Sequence, residues 1–128
     1  MGAQDAFLLD AYSHTVSDVV ERTAPSVAAV RVGGAGAGSG FLFTPDGYLL
    51  SNSHVVRAGR PAFAKDQPKP AYAVSLGDGR EFSARFVGAD PDTDLAVLHT
   101  DGPSKGTLTH AALRRSAGLK RGHIAIAL

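Results

Sequence analysis

The side chains that could do chemistry in this chain are its histidines and carboxylates. The 128 residues include five histidines, 12 Asp and Glu residues and no cysteine. Without cysteine neither a disulfide framework nor a thiolate metal site can form, and no two histidines have metal-ligand spacing. One histidine stands apart. In Ser51-Asn52-Ser53-His54-Val55-Val56, three small polar residues deliver an imidazole at the end of an apolar stretch. Held there, at a cleft edge, an imidazole can exchange protons near neutral pH, where its unperturbed pKa lies. Asp94 opens the apolar run Leu95-Ala96-Val97-Leu98; taken alone, it reads as the cap of a strand. His99 falls on the opposite face of that strand by two-residue alternation and reads as structural. His14 lies in a helical stretch and reads as a solvated or half-buried helical side chain.

The elements that must position these groups follow from periodicity. From about Asp5 to Arg22, Leu9, Tyr12, Val16, Val19 and Val20 recur at spacings of three and four, one face of a helix that Pro25 stops. Ser26 to Val32 is a first strand. Phe41–Phe43 and Tyr48–Leu50 are two short strands joined by Thr44-Pro45-Asp46-Gly47, whose Pro second and Gly fourth suit a type I turn. A short helical turn through Arg57 follows His54. Pro61, Pro68 and Pro70, with Lys65, Asp66 and Lys69 among them, mark an exposed loop. Tyr72, Val74 and Leu76 alternate on one strand, Gly77-Asp78-Gly79 turns, and Phe82, Ala84 and Phe86 alternate against Glu81, Ser83 and Arg85 on the returning strand. Asp90 and Asp92 form and solvate the next turn. Asp101 to Gly122 is loop-like.

Several functions are disfavoured. The glycine-rich run Gly33-Gly34-Ala35-Gly36-Ala37-Gly38 holds no Gly-x-Gly-x-x-Gly, and a strand follows it where a phosphate loop needs a helix. It reads as a flexible connection between strands. A net charge of +1, with scattered basic residues, gives no reason to expect a nucleic-acid or membrane-surface partner. No run is long enough for a membrane span. Hydrophobic residues at 44% and charged residues at 20% are ordinary for a folded domain. Met1-Gly2-Ala3-Gln4-Asp5 lacks the basic start and apolar core of a signal peptide. The expected location is cytoplasmic if Met1 is the native start, and periplasmic or exported if a leader was removed.

Two stretches resemble the trypsin-like serine proteases of the HtrA/Deg family. The first runs from Gly38-Ser39-Gly40-Phe41 through Thr44-Pro45-Asp46-Gly47 to His54-Val55-Val56. The second is Gly88-Ala89-Asp90-Pro91-Asp92-Thr93-Asp94-Leu95-Ala96-Val97. The resemblance implies that His54 corresponds to the general base and Asp94, 40 residues on, to the carboxylate of a Ser-His-Asp triad. It covers about Asp10 to Leu128. The fold it implies is all-β: the first of two trypsin-like Greek-key barrels, six-stranded, preceded by an N-terminal helix and followed by a stray final strand. The expected segments are 1–25 helical, 26–118 barrel, and 119–128 opening a second barrel that is not present.

The third member of a triad is not found. The family's nucleophile run, Gly-Asn-Ser-Gly-Gly-Pro, does not occur. Gly38-Ser39-Gly40 matches the family's strand motif instead, and Ser51 and Ser53 match its small positions beside the histidine. No PDZ region is expected within these 128 residues. The resemblance implies a serine endopeptidase acting on unfolded or misfolded polypeptides without metal or cofactor, with this stretch inactive by itself. Self-association, or pairing with the missing half, is expected through the apolar tail Ile124-Ala125-Ile126-Ala127-Leu128 and the uncovered barrel face. The alternative is a non-catalytic binding or assembly module derived from a protease half-domain.

Overall fold

Alternation of inward apolar and outward polar side chains, repeated on six short strands, closes a sheet into a barrel. The computed structural model describes residues 2–34, 36–58, 70–102 and 108–128. The strands are β1 (Val27–Val32), β2 (Gly36–Leu42), β3 (Tyr48–Ser51), β4 (Tyr72–Leu76), β5 (Glu81–Asp90) and β6 (Leu95–Thr100). All neighbours pair antiparallel, in the order β1-β2-β3-β6-β5-β4, with β4 returning to β1. The jump from β3 to β4, which lies between β5 and β1, makes the path a Greek key. Closure leaves no strand edge open.

The core is what alternation requires. Val30, Val32, Leu42, Leu49, Val74 and Leu98 are fully buried, and Phe82, Ala84 and Phe86 of β5 pack against them. A bulge between Phe86 and Gly88 breaks the register of β5 on β6 and leaves Val87 outside. The β2–β3 turn is fixed at Gly47, whose φ of +104° favours glycine. A side chain there would also collide with Thr100 Oγ1, and that hydroxyl donates to the Gly47 carbonyl at 3.1 Å. The Gly77-Asp78-Gly79 turn closes as expected, with Gly79 N–H donating to Leu76 O at 3.0 Å.

The structure departs from expectation in three places. The glycine run is a connection only at its start: Gly36 to Gly38 already pair with Val32 to Val30, so β2 begins early. The final strand does not form: residues 123–128 are irregular and pair with no strand among the described residues. The helix α1 spans Ala3–Thr23, but none of its residues is buried. Leu9 and Tyr12, on the expected apolar face, are 53% and 55% exposed. A one-turn 3-10 helix, Ala24–Ser26, carries Pro25 and joins α1 to β1. Among the described residues no helix is long and apolar enough to cross a membrane. The expected loop at Pro61, Lys65, Asp66, Pro68 and Lys69 lies outside the described residues.

Candidate active site

At the end of β3 the chain turns into a single helical turn, α2 (Ser53–Val56). Two of its residues point inward: Ser53 and Val56 are fully buried. Val56 O accepts from the Tyr72 hydroxyl at 3.0 Å, and Ser53 Oγ accepts from Arg57 Nε at 3.1 Å. Ala58, at φ +51°, ends the turn in the left-handed region. With those anchors inside, His54 is forced outward, its side chain 65% exposed.

Asp94 arrives from the other side, on the turn between β5 and β6. The Asp92 N–H donates to Asp90 Oδ1 at 3.1 Å, and the Thr93 hydroxyl donates to Asp90 Oδ2 at 3.0 Å. This is the turn-forming role expected of Asp90. The turn leaves Asp94 itself at φ +57°, a conformation that costs most residues about 1–2 kcal/mol and that Asp tolerates better.

Four hydrogen bonds lock Asp94 onto three consecutive residues. Its carbonyl accepts from Asn52 Nδ2 and from the Ser53 N–H, both at 3.1 Å. Its Oδ1 accepts the His54 backbone N–H at 2.8 Å, and its Oδ2 meets His54 Nδ1 at 2.6 Å. Asn52 sits at the N-cap of α2 with extended φ and ψ, yet its side chain does not cap the helix. The Asp94 carboxylate takes the second free N–H in its place. Those bonds favour the charged carboxylate. The His54 backbone N–H first, then its ring, hold Asp94 below the ordinary 3.8.

The electrostatics fix the ring's chemistry. A carboxylate only accepts, so Nδ1 carries the proton, and in the neutral ring Nε2 keeps a lone pair. Such an imidazole can take a proton at Nε2, and the carboxylate then faces the resulting cation.

Of the other candidates, Ser51 is buried with its hydroxyl donating to Ser39 O at 2.8 Å, and Ser53 is engaged by Arg57. His99 lies on the outer face of β6, its ring edge-on to Tyr48 at 4.6 Å, and its Nδ1 is buried without a partner among the described residues. His14 is exposed on α1, its Nε2 3.7 Å from Asp10. Among the described residues no group of three or more His, Asp or Glu is placed to hold a metal ion. Sequence reasoning passed over Asn52. Its one signal is an Asn directly ahead of a helical turn, which suggests an ordinary cap and gives no hint of a bond to Asp94.

Against known proteins, residues 38–128 match the trypsin-like peptidase domain. The chain belongs to that family. Within the family its relatives are of the HtrA/Deg type. It is 46% identical over 68 residues to a probable periplasmic serine endoprotease, DegP-like, of Brucella suis, covering 53% of this chain and 11% of that protein. It is 35% identical over 94 residues to the periplasmic pH-dependent serine endoprotease DegQ of Escherichia coli, covering 73% and 18%. A solved HtrA-type protease, AlgW with a tripeptide, superposes with a TM-score of 0.64 at 38% identity, covering 81% of this chain and 31% of that one. The chain thus spans a small part of the trypsin-like relatives it matches. The closed all-β barrel with an N-terminal helix has trypsin-like solved neighbours.

Proposed function

We propose that this chain carries the first barrel of an HtrA/Deg-type serine endopeptidase domain, with His54 as its general base and Asp94 as the carboxylate that orients it. The observation that supports this most is the double grip of one carboxylate on one histidine, Nδ1 to Oδ2 at 2.6 Å and backbone N–H to Oδ1 at 2.8 Å. In this reading residues 1–25 are a helical lead-in, 26–118 the barrel and 119–128 the opening of a second barrel. The nucleophile belongs to that second barrel, since no Gly-Asn-Ser-Gly-Gly run occurs in the 128 residues.

The reaction assigns each group a step. A serine hydroxyl is a weak nucleophile until a base takes its proton. His54 Nε2 accepts that proton as the serine oxygen attacks the peptide carbonyl. The imidazolium then faces the Asp94 carboxylate, which stabilises it without taking the proton. His54 returns the proton to the leaving amine as the C–N bond breaks and an acyl-enzyme forms. Water, deprotonated by the same Nε2, hydrolyses the ester. The substrates in this reading are unfolded or misfolded polypeptides, and the barrel's partners are the second barrel or another copy of the chain.

The test uses a chain extended through a second barrel. Asp94→Asn lowers turnover by about four orders of magnitude with folding intact, because the ring loses its tautomer and its stabilised cation. Near-full activity in Asp94→Asn, with loss in Asp92→Asn, would assign the carboxylate to the wrong residue.

A further inference from the structure

Besides His54, a second side chain bonds to Asp94. Asn52 Nδ2 donates to the Asp94 carbonyl at 3.1 Å, alongside the Ser53 N–H on the same oxygen. The backbone at Asp94 is left-handed, with φ +57°. That twist separates the carbonyl, facing Asn52 and Ser53, from the carboxylate, facing His54. Turning the residue back toward ordinary φ would swing the carbonyl away from both donors and the carboxylate away from Nδ1. The carbonyl bonds and the carboxylate bonds therefore hold the same conformation from two ends. Three of the four involve backbone N–H groups or the histidine itself. The Asn52 amide is the one that a substitution can remove without touching the pair.

Asn52 is also placed oddly for a cap. It stands at the N-cap of α2 with φ −90° and ψ 143°, where an Asn oxygen ordinarily accepts a helix N–H. Its side chain makes no such bond, because its amide is turned to Asp94 while Asp94 Oδ1 takes the His54 N–H. The two residues have exchanged duties: the carboxylate caps the helix, and the asparagine secures the carboxylate's own backbone.

We propose that Asn52 is a positioning residue for the acid–base pair, holding Asp94 in the left-handed conformation that aims its carboxylate at His54 Nδ1. This rests on the reading of His54 and Asp94 as that pair. Asn52 touches neither the imidazole nor a reacting atom; it acts through Asp94. A donor is required at this position. Asp, of the same shape, would present a charged acceptor to a carbonyl oxygen and repel it, so it disturbs the site more than Ala does.

The experiment needs no activity and uses the 128-residue chain. Its histidines are labelled with 15N, and the ring nitrogens are observed above the pH where imidazole titrates. In the wild type His54 shows a protonated Nδ1 with a downfield hydrogen. In Asn52→Ala the ratio of the Nδ1–H to the Nε2–H tautomer falls by about two- to tenfold, the factor that one hydrogen bond carries. In Asn52→Asp it falls further. The His99 ring and the barrel amides stay where they were, since Asn52 is exposed. An unchanged His54 signature in both variants overturns the inference while leaving the pair intact. Loss of the barrel spectrum in both overturns it too, making Asn52 a residue of stability. A wild type without a protonated Nδ1 at His54 overturns instead the pair itself.

Discussion

Gly38 on β2 lies flat against Val55, the residue that follows His54: a methyl group at position 38 would stand 2.6 Å and 2.7 Å from the two Val55 methyls. Val55 is β-branched and stiff at χ1, so it cannot rotate out of the way. The missing side chain at 38 is what lets the histidine-bearing turn sit down on the barrel.

Gly38→Ala should therefore cost about 1–3 kcal/mol, as overpacking does, or lift α2 and pull His54 from Asp94. Val55→Ala in the same chain should recover most of the loss. Urea unfolding of both single variants and the double variant measures the coupling. Additive effects would mean that the contact is not what requires glycine.

Much of this arrangement was legible in the sequence, and the limits have physical causes. Alternation at Tyr72, Val74 and Leu76 and at Phe82, Ala84 and Phe86 gave a correct hairpin, because inward and outward faces differ in composition. The early start of β2 was hidden because Gly36 and Gly38 carry no side chain to show a period. The apolar face of α1 reads like a buried face, yet it is exposed. Periodicity reports which side a partner would take and says nothing of whether the partner is there. Asp94 is visible only through its motif. Its left-handed backbone and its bond to Asn52 are products of the barrel bringing β3 beside β6.

Acid should weaken the grip on His54 in a defined window. The His54 N–H and ring hold Asp94 below its ordinary 3.8 in the folded state. A depressed carboxyl stabilises the fold fully above the unfolded pKa and ceases to do so as pH falls through the folded one. The carboxylate's own titration should then enter the stability gap between wild type and Asp94→Asn only below about pH 4, where the unfolded carboxyl titrates. Below that the gap should shrink. Denaturant midpoints of both chains at several pH values test this. A gap that grew as pH fell below about 4 would mean that the carboxylate is not stabilised by these bonds.

A serine-directed fluorophosphonate should leave the 128-residue chain unlabelled. The Ser51 hydroxyl is buried and donates to Ser39 O, and Ser53 is buried and accepts from Arg57. Ser39 is exposed but lies in strand pairing with Ala29 rather than on a nucleophile turn. Mass spectrometry after probe treatment reads the outcome. Stoichiometric modification of Ser39, Ser51 or Ser53 would place a nucleophile within this barrel and refute its assignment to a second one.

Self-association of the chain should run through α1 more than through its last residues. Ile126 and Leu128 line an open cleft of about 500 Å³ together with Val27, Phe41, Leu50 and Leu95. Helix α1 carries the larger set of exposed apolar side chains. Phe7 and Leu8 are 70% and 60% exposed, Leu9 and Tyr12 are more than half exposed, and nothing on the helix is buried. Apolar surface of this kind on an extended helix marks an association site. Burying each of those side chains against a second copy is worth about 1.5–3 kcal/mol. Leu9→Glu with Tyr12→Glu should shift the chain toward monomer while the barrel's thermal midpoint holds, since neither residue enters the core. Deleting residues 124–128 should move the monomer fraction less. Sedimentation velocity over a concentration series on the three chains decides. A wild type that stays monomeric at high micromolar concentration would show that α1 needs a different partner, and a larger effect from the tail deletion would return the contact to the strand-exchange route through Ile124 and Leu128.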